Sequence, residues 1–170
     1  MKDVEDIFKA IIEFLSEELP VQGGGTISRL NYYINAKNVE KGDNLLDEIK
    51  NSPERYILNQ RLKESPQLFK NWIDIAVDDD VDINANYDTV AKRFVVSVNA
   101  LISDNLEIDT FYKSTRMAEV LKDIMKEFFK EKMTYGFMYG EIETNTLPVR
   151  VSIEGNKALM SGVVYIITIQ

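Results

Sequence analysis

Histidine and cysteine are both missing from all 170 residues. Without them the chain has neither the commonest metal-ligating side chains nor the commonest proton-shuttling and thiol nucleophiles. No disulfide framework and no thiolate chemistry can form, which fits a reducing cytoplasm or a particle assembled there. Proline is scarce, at 4 residues, and glycine is modest, at 8. No low-complexity tract or internal repeat is visible. Positive charge is also short: 20 Lys and Arg face 28 Asp and Glu, for a net charge of -8 and a pI of about 4.7. The basic residues are scattered among acidic neighbours, so no basic stripe exists to wrap a phosphate backbone. No apolar run approaches the roughly 18 residues of a membrane-spanning helix. The run Val163–Ile167 is short and β-branched, and reads as a strand. Met1–Leu19 alternates charged and apolar positions, so no signal peptide is expected there.

What remains is pattern. With 45% apolar and 28% charged residues, 170 residues suffice for one globular domain with a proper core. Val4, Ile7, Phe8, Ile11, Phe14 and Leu15 recur at steps of three and four and predict a helix over 3–19, capped by Asp3 and ended by Pro20. Gly23-Gly24-Gly25 reads as a hinge or flexible loop. Thr26–Ala36, with Ile27, Leu30, Tyr32, Tyr33 and Ile34, reads as a strand. The stretch 38–71 predicts two or three short helices inserted on a sheet-based core. Its signals are Gly42 as a turn, Leu45, Leu46 and Ile49 as a short helix, and Ser-Pro starts at Pro53 and Pro66. Tyr56, Ile57, Leu58 and Leu62 follow the first of these starts as helix. Alternation over Trp72–Asn84 gives two strand segments, or one strand with a bend at Asp78-Asp79-Asp80. Arg93–Ser103 is apolar on much of both faces and predicts a central strand. Met117, Val120, Leu121, Ile124, Met125, Phe128 and Phe129 form one stripe of a long helix over 109–132. Leu147–Glu154 and Leu159–Ile169 read as two strands about a Gly155-Asn156 turn. The fold class is therefore α+β: a mixed, mainly antiparallel sheet flanked by an N-terminal helix and one long amphipathic helix, with a helical insertion.

Few residues suggest chemistry. Asp78, Asp80, Asp82 and Asn84 carry the alternate oxygen ligands of a calcium loop. The position that needs Gly holds Ile83, and the position that needs a bidentate Glu holds Thr89. A solvated acidic strand end or bend is the plainer reading, and no metal or cofactor is expected. Glu141 and Glu143 share one strand face, as an acid–base pair or, more simply, as an exposed polar face. The glycine run lacks the Lys and the strand–helix frame of a phosphate loop. No Ser sits in a nucleophile elbow, so no enzyme activity is expected. Phe137, Met138 and Tyr139 lie between Gly136 and Gly140, with Tyr135 just before them, and Tyr, Phe and Met are enriched at protein interfaces. They form either an interface loop or an ordinary hydrophobic strand.

The order of elements resembles that of the tail terminator, or tail-completion, proteins of long-tailed bacteriophages. Asp3–Ile11 looks like their first helix and Lys92–Val98 like their central strand. Met117–Phe129 looks like the helix packed on the sheet, and Val163–Ile169 like the final strand. The likeness spans 1–36 and 85–170. It implies a ring, commonly hexameric, that closes the tail tube and meets the head connector. It also implies a location in the virion neck, with assembly in the host cytoplasm, and partners among the tube and connector proteins. Acidic charge around a channel would let DNA pass without specific binding, because like charges repel. A non-enzymatic adaptor or assembly chaperone is the alternative, and a carboxylate-dependent metal enzyme the third.

Overall fold

The first helix forms where the heptad-like spacing places it. In a computed structural model that describes residues 4–51, 56–58, 71–86, 89–103, 107–131, 139–151 and 158–169, α1 spans Val4–Ser16. Glu5 and Asp6 sit in its first turn, where the helix dipole favours negative charge. Ile7, Ala10, Ile11, Phe14 and Leu15 are all buried. The helix stops at Ser16, ahead of Pro20. Glu18–Pro20 (β1) then pairs antiparallel with Thr26–Ser28 (β2). The three glycines between them, expected as a hinge or flexible loop, make the turn of this small hairpin. Their φ angles are +94°, +101° and +80°, a region that side-chain-bearing residues rarely adopt. The Val21 amide donates to the Gly25 carbonyl, and the Gly24 amide to that of Val21.

The strand expected over Thr26–Ala36 is three residues long. It gives way to α2, Arg29–Lys41. Leu30, Tyr32 and Ile34 fit a two-residue period, but Leu30, Ile34 and Asn38 also fit the four-residue period of a helix face, and all three of these are buried. The caps decide between the periods. The Ser28 hydroxyl accepts from the Asn31 amide at 3.3 Å, and Gly42 adopts φ +71° in the left-handed C-terminal position. A short helix, α3, follows over Asp47–Lys50. Tyr56–Leu58, expected as helix, is a strand (β3) running parallel to the start of the next one. A triplet of one aromatic, one β-branched and one further aliphatic residue fits a pleated edge as well as it fits a helix. The start signal at Pro53 and that at Pro66 lie outside the described residues.

The main sheet adds β4 (Trp72–Asn86), β5 (Thr89–Ser103), β6 (Tyr139–Val151) and β7 (Ala158–Ile169), in the order β3-β4-β5-β7-β6. Among the described strands of this sheet only β3 and β4 are parallel; the other pairs are antiparallel. β5 is the central strand, as its two-sided apolar pattern predicts. β4 is one strand with an irregularity, the second of the two readings of Trp72–Asn84. Its register shifts between Val77 and Asp79, leaving Asp78 as the extra residue of a bulge. β6 begins at Tyr139, upstream of the expected start at Leu147, and shifts register between Asn145 and Val149.

Between β5 and β6 runs the long helix α4, Glu107–Lys130. It packs on β5, β6 and β7, and α1 and α2 pack on it in turn. Met117, Leu121, Ile124, Met125 and Phe128 are fully buried, with Val120 nearly so. They join Val96, Val98, Ala100 and Ile102 of β5, Ile73 and Ile75 of β4, and the apolar faces of α1 and α2 in one cluster. Leu46 and Ile49 belong to it too, so the described part of 38–71 contributes to the same core. At about 1.5–3 kcal/mol for each large side chain buried, the α4 stripe is a principal source of stability. The fold is α+β.

Candidate functional site

The residues singled out by sequence fall in three places. Tyr135, Phe137 and Met138 lie outside the described residues, and Tyr139 opens β6 opposite Thr168. Asp80, Asp82 and Asn84 are strung along β4 opposite Phe94, Lys92 and Val90, after the bulge at Asp78. An extended strand advances about 6.5 Å between alternate residues, whereas a calcium loop wraps its ligands around one point. Glu141 and Glu143 occupy alternate positions of β6, opposite Ile166 and Val164. Among the described residues, no three acidic side chains converge as a metal-binding group.

The structure instead gathers polar side chains along the line where α2 and α3 meet α4. The Tyr33 hydroxyl donates to Glu127. The ammonium of Lys37, a side chain only 8% exposed, lies 3.2 Å from Glu119 and 3.1 Å from Glu40. Arg116 Nη1 reaches both carboxylate oxygens of Asp43, at 2.7 and 2.8 Å. Lys113 Nζ donates to Glu48 at 3.2 Å. Along α2, Tyr33 and Lys37 meet Glu127 and Glu119, and beyond its end Asp43 and Glu48 meet Arg116 and Lys113, so the chain from α2 into α3 runs antiparallel to α4 along a charged seam. The Asn38 side chain closes the corner, donating to Asp47 at 3.0 Å and accepting from the Leu46 amide at 3.2 Å.

Ionisation follows these contacts. Burial and the hydrogen bond to Glu127 hold the Tyr33 phenol well above its ordinary value. Burial works to lower Lys37, but its hydrogen bonds to Glu40 and Glu119 outweigh that and raise it. The hydrogen bond from Arg116, with help from the Leu45 amide, lowers the Asp43 carboxyl. Each shift favours the form that the seam uses: neutral phenol, ammonium, carboxylate.

A second polar junction lies at the far end of α2. Arg29 is 4% exposed, with its guanidinium 3.7 Å above the Phe14 ring. Its Nη1 donates to the Phe14 carbonyl at 2.9 Å and to Glu17 at 2.7 Å, while Nε is buried without a partner. The Phe14 carbonyl is one of the last in α1, which no helical amide can satisfy. Arg29 thus caps one helix while beginning the next.

Beside the seam lies an open groove of about 430 Å³, lined by Asn35, Asn38, Val39, Gly42, Asp43, Asn44 and Asp47. Val39 is 81% exposed at this groove. On the first turns of α4, Ile108, Phe111 and Tyr112 are also exposed, at 57%, 41% and 49%. Their i, i+3, i+4 spacing makes one outward stripe, opposite the turn face on which Thr110, Lys113 and Ser114 are buried. The Phe111 and Tyr112 rings meet edge to face, with centroids 6.0 Å apart. Sequence reading passed over this stripe because the long run from Met117 dominates the helix. Three apolar residues on the side opposite that run are the signal that would have revealed it. The chain matches no protein-family model, and no curated protein matches it.

Proposed function

We propose that the protein works as a structural building block: a ring-forming virion protein that terminates the tail tube of a long-tailed phage and joins it to the head connector. The observation that carries this reading is the element order. An N-terminal helix precedes a sheet whose central strand leads into one long helix and then into two antiparallel strands, β6 and β7, with α4 laid on that part of the sheet. The seam side chains support it as well. Tyr33, Lys37, Asp43, Glu48 and Arg29 are each engaged in bracing one element against another, and none of these contacts gathers groups around a reacting centre. The net charge of -8 suits a channel that DNA crosses without adhering.

The test is assembly. Purified protein, alone and mixed with a phage tail-tube protein, is examined by sedimentation and negative-stain microscopy. Closed rings of uniform size are expected, alone or on contact with the tube protein, with no retention of duplex DNA at moderate salt. Protein that stays dispersed in both conditions removes the ring reading. The exposed Ile108–Phe111–Tyr112 stripe favours a second reading, a non-enzymatic adaptor or assembly chaperone, for which a stable monomer binding one partner protein is expected.

A further inference from the structure

We infer that the stripe of Ile108, Phe111 and Tyr112 and the groove beside Val39 together dock a second copy of this chain, each copy seating its aromatic pair in the other's groove. The argument starts from placement. Arg116 stands one helical turn after Tyr112 on the same side of α4, and it holds Asp43 of the groove at 2.7 Å. Stripe and groove are therefore neighbours on a single surface. Complementary patches that lie side by side meet reciprocally about a two-fold axis, where every contact is made twice.

Size and charge agree with that occupant. Large aromatic side chains bury about 150–250 Å² each, so rings left about half exposed offer roughly 100 Å² apiece. Val39 and Ile108 add to the patch. Reciprocal burial doubles the apolar area, and with a polar rim the contact approaches the ~1,200 Å² at which specific interfaces begin. A groove of about 430 Å³ is large enough for aromatic rings. Of the charges on the groove and beside it, Asp43 is paired within the same copy with Arg116 and Asp47 with Lys50, so these bring no unmatched charge into the contact. Asn35 and Asn44 on the groove supply amide groups for the Tyr112 hydroxyl.

This contact stands on observations separate from those behind the ring proposal, and a two-fold pair does not itself propagate into a ring. The experiment is sedimentation equilibrium of the full chain from micromolar to submillimolar concentration, for the natural protein and for Phe111→Asp and Val39→Arg. A monomer–dimer equilibrium is expected, and each substitution should weaken it by at least about tenfold, as loss of an interface anchor does. Thermal midpoints should barely move, because both positions are exposed. The absence of cysteine allows a second readout. Single variants Val39→Cys and Tyr112→Cys, mixed and oxidised, should give a covalent dimer well above the yield of either alone. Monomers throughout, a dimer indifferent to both substitutions, or no excess cross-linking in the mixture would each overturn the contact. Rings that form unaffected by Phe111→Asp and Val39→Arg overturn it while sparing the ring proposal. A stripe-dependent dimer that never assembles further does the reverse.

Discussion

Arg29 shows how one side chain settles a conflict. A cation near the start of a helix opposes that helix's dipole, yet Arg29 opens α2. What outweighs this is the end of α1. The guanidinium supplies a hydrogen bond to the Phe14 carbonyl, a cation–π contact with the Phe14 ring and a short ion pair with the half-exposed Glu17. Replacing buried charged groups by apolar ones can be neutral when both partners are replaced together. Here a change at Arg29 alone removes the hydrogen bond to the Phe14 carbonyl and the stacking on the Phe14 ring together while both partners stay in place, so the loss dominates. Arg29→Met should cost about 2–3 kcal/mol, the value of a charged hydrogen bond plus a desolvated cation–π contact. Arg29→Lys should recover only part of that, since an ammonium cannot both stack and donate from a planar fork. Urea denaturation midpoints measure both. A loss under ~0.5 kcal/mol for Arg29→Met, within the range of an ordinary surface substitution, would show that the guanidinium does not fasten the two helices.

At the scale of elements, the seam between α2 and α4 depends on pH, and the direction follows from its groups. The Asp43 carboxyl titrates lower in the folded chain than in the unfolded one. Its contribution is therefore complete above the ordinary carboxylate range, near pH 4, and is lost as pH falls through the folded value. Lys37 is raised, so its contribution persists through neutrality and is lost as pH climbs through its folded value, above the ordinary ammonium range. The seam is tightest between these limits. Asp43→Asn should lower the thermal midpoint at neutral pH and flatten the acid limb of the stability curve, so that variant and natural protein converge once pH has fallen below the folded value of the natural carboxyl. A gap of constant size all the way down the acid limb would mean that the Arg116 contact works through shape rather than charge. These same elements mark where sequence reading succeeds and stops. α4 and β5 are legible because each carries one unbroken apolar period: Met117 to Phe128 at helical steps, Phe94 to Ala100 at alternate residues. α2 is not, because Leu30 and Ile34 satisfy both periods and its remaining anchors are polar. Lys37, Asn38 and Arg29 are buried through partners distant in sequence, a kind of burial that no local pattern announces. Of the candidate surface, the aromatic character is visible in the letters, but the groove exists only once Gly42 turns α2 toward α3.

For the whole molecule, the question is whether the helices and the sheet are one cooperative unit. The buried cluster says that they are, since it draws on all four helices and on β4 and β5 without a gap. Its centre includes Phe14 of α1 and Phe128 of α4, fully buried, with ring centroids 5.3 Å apart at an interplanar angle of 71°. Edge-to-face pairs of this kind are worth about 0.5–1.5 kcal/mol beyond their buried area. Phe14→Leu and Phe128→Leu should each destabilise the protein, and the double variant should lose less than the sum by about that coupling, because the second change removes a contact already broken. Probes in different layers should agree as well. Trp72 is the only tryptophan and opens β4 opposite Leu101, so its fluorescence follows the sheet, whereas far-ultraviolet dichroism is dominated by the helices. In urea the two signals should trace a single transition for the natural protein and for all three variants, displaced to lower midpoints without separating. Full additivity of the two substitutions, or a helical signal that vanishes while Trp72 still reports a folded sheet, would divide the molecule into layers that hold together independently.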